Sequence, residues 1–427
     1  ALLGIRHKWR IPRTLTLEMN MKITSLCLLL ATLPLSAFSE DLFIGSIDNG
    51  NVSWNDTLSN GYYQIQWAAT LTGSWYSSWA QLSTIRATGQ GDRSMPVPMF
   101  YRITYRPALS NGMCLVPAGG QPQGPNYDFW MSKYEISNEE FARFLNDAQA
   151  NTNNSRGQYM TFFNTGNVGL GRGSSTNLPL FSIDKSRLVY DPEQPEGSRY
   201  SVYPDFIGHP ITGVSWYGAL KYCNWLTIDS GRLESDRCYS EGNAITNWKP
   251  AHLTWAAWDD GLSDVERLQW LPYKGFRLPM NHYDANPNYY NEHYKASAWT
   301  GSSNVLYGFG RNTINQQDAN YSNSGDPYEP FSVKTAPCGY YDGSNHGGAF
   351  STRSNANYYG IYDLSGNVEE WIADQYGPPN AHDSRRAIGG SWSVGSSQCT
   401  VTSSTGTIAP SSTVNSRGFR VVTTWME

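Results

Sequence analysis

From Arg232 to the C-terminus the chain carries no sustained period, helical or extended; short aromatic pieces alternate with Asn, Ser, Gly and Asp. A structureless run of that length in a compact domain needs its backbone polar groups paired and its loops held by something beyond secondary structure. Composition fits a loop-rich protein with a large core. Of 427 residues only 16% are charged, while aromatics reach 14%, with 16 Trp and 28 Tyr. The net charge of −5 offers no basic stripe to neutralise a phosphate backbone, so nucleic acid is not an expected partner.

The stretch MKITSLCLLLATLPLSAFSE begins at Met21 with Lys22, an apolar run from Ile23 to Leu33, and small residues at Ala37 and Ser39. This is the pattern of a bacterial-type secretory signal peptide. Residues 1–39 are therefore set aside as an upstream extension plus this leader, 21–39. Its apolar run is short for a bilayer, and no later segment reaches the roughly 20 apolar residues of a spanning helix. A secreted or periplasmic chain without a membrane span is expected. Of six cysteines, Cys27 leaves with the leader, and Cys114, Cys223, Cys238, Cys338 and Cys399 remain. An odd number leaves at least one thiol unpaired in a monomer. No CxxC or HExxH spacing occurs, which argues against a zinc site.

Residues 40–106 alternate polar and large apolar positions, as in YYQIQWAA and MPVPMFYRITY, with turn formers between them, and read as a small all-β domain. Trp54, Trp67, Trp75 and Trp79 are expected in its core more than on a carbohydrate platform. Residues 107–112 supply a linker, and 113–427 form the second domain. There, Ser137 and Glu140 form a capping box with Ile136 and Phe141 as the hydrophobic staple, which predicts a helix from Asn138. A second helix is predicted in VSWYGALKYCNWLTIDSG, capped by Ser215 and closed at Gly231, with Cys223 on its apolar stripe as a buried small hydrophobe. GNVGLGRG, residues 166–173, resembles a phosphate loop but lacks a strand-then-helix frame and reads as a flexible loop.

In YGIYDLSGNVEEWIAD, Asp363 and Glu370 lie seven positions apart, and Gly366 permits a sharp turn that aims the Gly366 and Val368 carbonyls inward. Hard oxygen donors on a tight turn suit calcium. Taken on spacing alone, a solvated turn is the commoner outcome.

The ordered set LVPAGG, YEISNEEFARFLN, ITGVSWYGALKYCNWL, FRLP, YYGIYDLSGNVEEW, IGGSW and RGFRVV resembles the sulfatase-modifying-factor family, that of the formylglycine-generating enzyme, over residues 113–427. The resemblance implies an α+β fold of the C-type-lectin-like kind, with few regular elements, long ordered loops and bound calcium. It also implies an activity: copper(I) and oxygen convert a cysteine in a Cys-x-Pro-x-Arg segment of a sulfatase to formylglycine. One family calcium site falls on Asp363, Gly366, Val368 and Glu370. The other falls on Asn320 and the Tyr321 carbonyl, with Glu329 or Asp326 as the acid and Phe331 as a carbonyl donor.

The copper site breaks the pattern. Of the two cysteines that follow the family's GGSW, the first falls on Val394 and the second on Cys399; the motif serine is Ser391. One thiolate cannot reproduce a two-thiolate site for a soft ion. Glu369 replaces the first Trp of the family's W-E-W, FRLP is not followed by the usual acidic helix text, and the cysteine expected after GFR is Val421. Cys223 then either pairs with Cys238 or stays reduced. Three functions compete: a calcium-stabilised binding or accessory module, a formylglycine-generating oxidase using Cys399 and Ser391, and a surface ligand binder with a diversified loop in SVGSSQCTVTSSTGTIAPSSTVNS. The expected partner is a sulfatase, another extracytoplasmic protein or a glycan.

Overall fold

The computed structural model describes six strands between residues 44 and 107 and most of residues 112–426. Outside the described residues lie 1–43, 108–111, 123, 159, 163–167, 173–175, 243–246, 255–263, 282–290, 329–334, 347–349, 376–383 and 427, together with the connections between the first six strands. The leader, Trp75, Trp79, Glu329 and Phe331 all fall there. The chain divides into two units, Ala1–Asn111 and Gly112–Glu427.

In the first unit, Asn51–Asp56 is flanked by antiparallel Ile44–Asp48 and Gly91–Pro96. Ser59–Ala68 is flanked by antiparallel Thr84–Thr88 and Phe100–Pro107. Trp54 is buried, paired in register with Arg93.

In the second unit, helix α1 spans Asn138–Ala150. Its capping box is formed: Glu140 N–H donates to Ser137 Oγ at 3.2 Å, and Ser137 N–H donates to Glu140 Oε2 at 2.8 Å. Two of the helix's orphan donors are thereby satisfied. Ile136 and Phe141, at the staple positions, are both fully buried. Helix α2 spans Trp216–Asp229, is capped by Ser215 and is buried on nearly every face. A β-carbon at Gly218 would stand 2.0 Å from the Leu180 carbonyl oxygen, so only glycine lets this helix lie against that segment. Phe141 of α1 stacks on Tyr222 of α2 with centroids 5.9 Å apart, and both meet Phe419 edge-on.

The sheet that carries the site runs in the order Ser404–Ile408, Arg385–Ile388, Glu369–Gln375, Arg417–Phe419. The first three pair antiparallel, and the last runs parallel to Glu369–Gln375. A second sheet joins Met113–Val116, Phe129–Ser132 and Val422–Thr423. Among the described residues, long loops join the regular elements of this unit, and side chains hold them. Arg277 of FRLP forms a buried bidentate pair with Glu292 at 2.5 and 2.6 Å. The acid that the text after FRLP lacks thus arrives fifteen residues later, on the short helix Glu292–Ala298.

One expectation is corrected. Val168–Arg172, read as part of a flexible loop, is a strand, paired with Thr176–Pro179 on one side and Thr161–Phe162 on the other. Cross-strand hydrogen bonds supply what glycine-rich local propensity does not.

Candidate functional site

Three loops meet beside the central sheet and are stitched by backbone hydrogen bonds. Gly366 N–H donates to the Gly389 carbonyl at 2.8 Å, and Trp392 N–H to the Asn367 carbonyl at 2.9 Å. Asn367 N–H donates to the Asn320 carbonyl at 2.8 Å, and Ser322 N–H to the Val394 carbonyl at 2.9 Å. Most sequence-predicted site residues therefore lie on one platform, because one turn feeds the strand starting at Glu369 and the GGSW segment leaves the strand ending at Ile388. Two glycines make the approach possible. At Gly366, φ is +87° and a β-carbon would stand 2.4 Å from the Asn320 carbonyl oxygen; at Gly390, φ is +71° and one would stand 2.8 Å from Cys399 Sγ.

At the turn, Arg420 holds the Glu370 carboxylate. Its Nε donates to Oε1 and Oε2 at 2.8 and 2.7 Å, and its Nη2 to Oε1 at 2.6 Å. The rest of the guanidinium is satisfied by the Ser132 and Tyr362 carbonyls, each at 3.0 Å. His293 Nε2 lies 3.2 Å from Glu370 Oε2, and burial drives the imidazole pKa down, so the neutral ring donates to the carboxylate. Burial alone pushes Glu370 up, but Arg420 and the His293 hydrogen bond outweigh it and leave its pKa below the ordinary range. Asp363 accepts from Asn355 Nδ2 at 2.8 Å and from Gly339 N–H at 2.5 Å, yet burial raises its pKa.

Glu135 joins this cluster. Its Oε1 accepts from Asn367 Nδ2 at 3.2 Å, while Oε2 is buried without a hydrogen-bond partner. Burial first, then the Asp363 charge, lifts its pKa well above the carboxylate range. Sequence reasoning passed over Glu135, which stands two residues before the capping box and reads as a helix lead-in. Three buried carboxylates thus face one arginine, a deficit of positive charge. In charge the set fits a divalent cation near Asp363. Glu370, whose two oxygens already carry Arg420, is the least available of the expected donors.

In the other expected calcium set, Asn320 is buried and its Nδ2 donates to Asn367 Oδ1 at 3.3 Å. Tyr321 packs against an apolar cluster. Asp326 is buried, with Oδ2 accepting from Ser324 Oγ at 2.6 Å and Oδ1 from Tyr328 N–H at 2.8 Å. Among the described residues no three His, Cys, Asp or Glu side chains converge on a single metal position.

The expected copper position is apolar. Cys399 is fully buried in a cluster with Tyr307, Phe309 and Ala319, against which Tyr321 and Val394 pack. Burial pushes its thiol up to about 12, against a small opposing effect of the Ser391 backbone. Ser391 is buried, and its hydroxyl lies 2.9 Å from Ser393 Oγ. All five described cysteines are free. Cys223 and Cys238 are both buried, and burial raises each thiol pKa, Cys238 to about 12. Glu369, in place of the family tryptophan, pairs with Arg417 at 2.6 Å, and that guanidinium lies 4.5 Å over the Trp371 ring. An ion pair capped by an aromatic face stands where an aromatic wall was expected.

No curated protein matches the sequence. Similar solved structures include Treponema denticola variable protein 1, 20% identical, TM-score 0.39, covering 73% of this chain and 95% of that one. CarF is 19% identical with TM-score 0.39, covering 69% and 86%, and PvdO from Pseudomonas aeruginosa is 17% identical with TM-score 0.36, covering 73% and 93%. The sequence matches the sulfatase-modifying factor enzyme 1-like domain over residues 123–425, most of the chain. With the seven ordered motifs and the mixed helix and strand content that surrounds them, this chain belongs to that family.

Proposed function

We propose that this chain is a secreted binding or accessory module built on the sulfatase-modifying-factor scaffold, and that it does not carry out copper-dependent cysteine oxidation. The observation that carries this reading is the packing around Cys399. A soft-metal site needs two thiolates free to lose protons and an approach for a substrate thiol. Cys399 instead sits in an aromatic and aliphatic cluster, protonated through the physiological range, with Val394 packing where a second sulfur would be. The purified chain, reconstituted with copper(I) and given a Cys-x-Pro-x-Arg peptide and oxygen, is expected to leave the peptide mass unchanged. Formation of formylglycine would restore the oxidase reading.

Calcium belongs to the same proposal. The excess of buried carboxylate at Glu135 and Asp363 supports a cation held at the turn by Asp363 and the Gly366 and Val368 carbonyls, with Glu370 shared with Arg420. Bound there, it would supply charge neutralisation and no chemistry.

A second reading, a diversified binding loop, is favoured by the pattern of burial after GGSW. Cys399, Val401, Ile408 and Pro410 are buried anchors, while Ser393, Gly395, Ser397 and Gln398 before them and Thr402, Thr405 and Ala409 between them are exposed. Small polar residues on such a frame tolerate variation without cost to the core. Sequencing close relatives tests it: variation confined to the exposed positions supports a binding face, and uniform variation along the chain refutes it.

A further inference from the structure

Away from the Cys399 platform, an antiparallel hairpin pairs Leu188–Tyr190 with Tyr200–Val202. Just beyond its paired residues, Arg187 and Tyr203 face one another, and Tyr203 N–H donates to the Arg187 carbonyl at 3.1 Å. A cleft of about 460 Å³ opens there, lined by Asp184, Ser186, Arg187, Tyr190, Pro192 and Tyr203 among others. That volume falls in the range of about 300–1,000 Å³ typical of small-molecule sites.

The guanidinium of Arg187 lies over the Phe206 ring, 4.9 Å from its centroid, which fixes its plane. Its Nε is buried with no hydrogen-bond partner, and among the described residues no carboxylate pairs with it. Burial lowers its pKa, and the one opposing influence is the Tyr203 phenol. Arg187 itself is half-buried; three fully or nearly fully buried arginines have acids, Arg277 with Glu292, Arg420 with Glu370 and Arg417 with Glu369. Arg187 is a planar, preorganised donor fork at a cavity wall, left without an internal anion. Tyr203, which lines the cleft beside it, is 48% exposed and offers a ring face to a ligand.

We infer that this cleft binds a hydroxylated ring monocarboxylate, an acidic monosaccharide, with the ligand carboxylate on Arg187 and the ring against Tyr203. A single carboxylate satisfies the fork by paired charge-assisted hydrogen bonds. Asp184, which shares the lining, disfavours a second negative charge and accepts from ring hydroxyls, so a sugar acid suits the cleft better than a phosphate dianion or a bare aromatic acid. The inference goes beyond the proposed function and is independent of the state of Cys399.

The test is calorimetric titration of the whole exported chain with glucuronate, glucose and benzoate. Glucuronate is expected to bind at least ~10-fold more tightly than either of the other two, because each lacks one half of the recognised chemistry. Arg187→Gln is expected to abolish that advantage, and Arg187→Lys to recover only part of it, since an ammonium cannot pair bidentately. Tyr203→Ala, on the exposed rim, gives a second readout and is expected to weaken glucuronate without lowering the melting temperature. Equal binding of glucose, tighter binding of benzoate, unchanged binding by Arg187→Gln, or no glucuronate binding at millimolar concentration would each overturn the assignment.

Discussion

Arg420 grips both oxygens of Glu370, with donor distances of 2.6 to 2.8 Å, and both side chains are fully buried. The pair joins the final GFR motif to the strand that follows the Asp363 turn, across fifty residues of sequence. Breaking a buried pair by removing one partner leaves an uncompensated charge. Arg420→Met is therefore predicted to destabilise the chain by about 3–5 kcal/mol, measured by denaturant unfolding. A loss below about 1 kcal/mol would show that the pair does not organise the turn.

Calcium is predicted to raise the melting temperature of the metal-free chain by several degrees, and chelator to reverse it, because a ligand that binds only the folded state stabilises it. Asp363→Asn is predicted to remove most of the effect. An identical melting temperature with calcium and with chelator would mean that Arg420 and protonation of Glu135 suffice.

The Cys399 thiol, held up to about 12 by burial, is predicted to resist alkylation at pH 8 until the chain unfolds. A folded-state thiol pKa above the unfolded value means that the folded protein holds its proton more tightly. The associated stability is present below the unfolded thiol range and is lost as pH rises from about 9 toward about 12. Quantitative iodoacetamide labelling with peptide mapping reads this directly. Rapid labelling of Cys399 in the native chain contradicts the buried cluster.

Gly218→Ala is predicted to be severely destabilising, because the new methyl would meet the Leu180 carbonyl and helix α2 has no free direction in which to shift. Ser137→Ala is predicted to cost only about 1 kcal/mol, the usual value for one helix cap. Thermal unfolding of the two variants side by side checks the contrast.

The helix starts were legible because capping is local: Ser137 and Glu140 announce α1 three residues apart, and Ser215 does the same for α2. The platform of loops was legible only through the order of motifs, since its stitching pairs Gly366 with Gly389 and Asn367 with Asn320 across tens of residues. Charge partners were the least legible. Nothing near FRLP names Glu292, nothing near Glu369 names Arg417, and Glu135 gives no local sign that it joins Asp363. These are long-range pairings set by tertiary packing. Val168–Arg172 failed for the same reason, its strand character being supplied by neighbours and not by its own glycines.

The most direct test is copper(I) stoichiometry, measured by competition with a chromogenic chelator on the reduced chain and on Val394→Cys. No stoichiometric copper(I) is expected on the natural chain, and a gain in affinity is expected when a second sulfur is placed beside Cys399. Tight, one-to-one copper(I) on the natural chain, lost in Cys399→Ser, would contradict it.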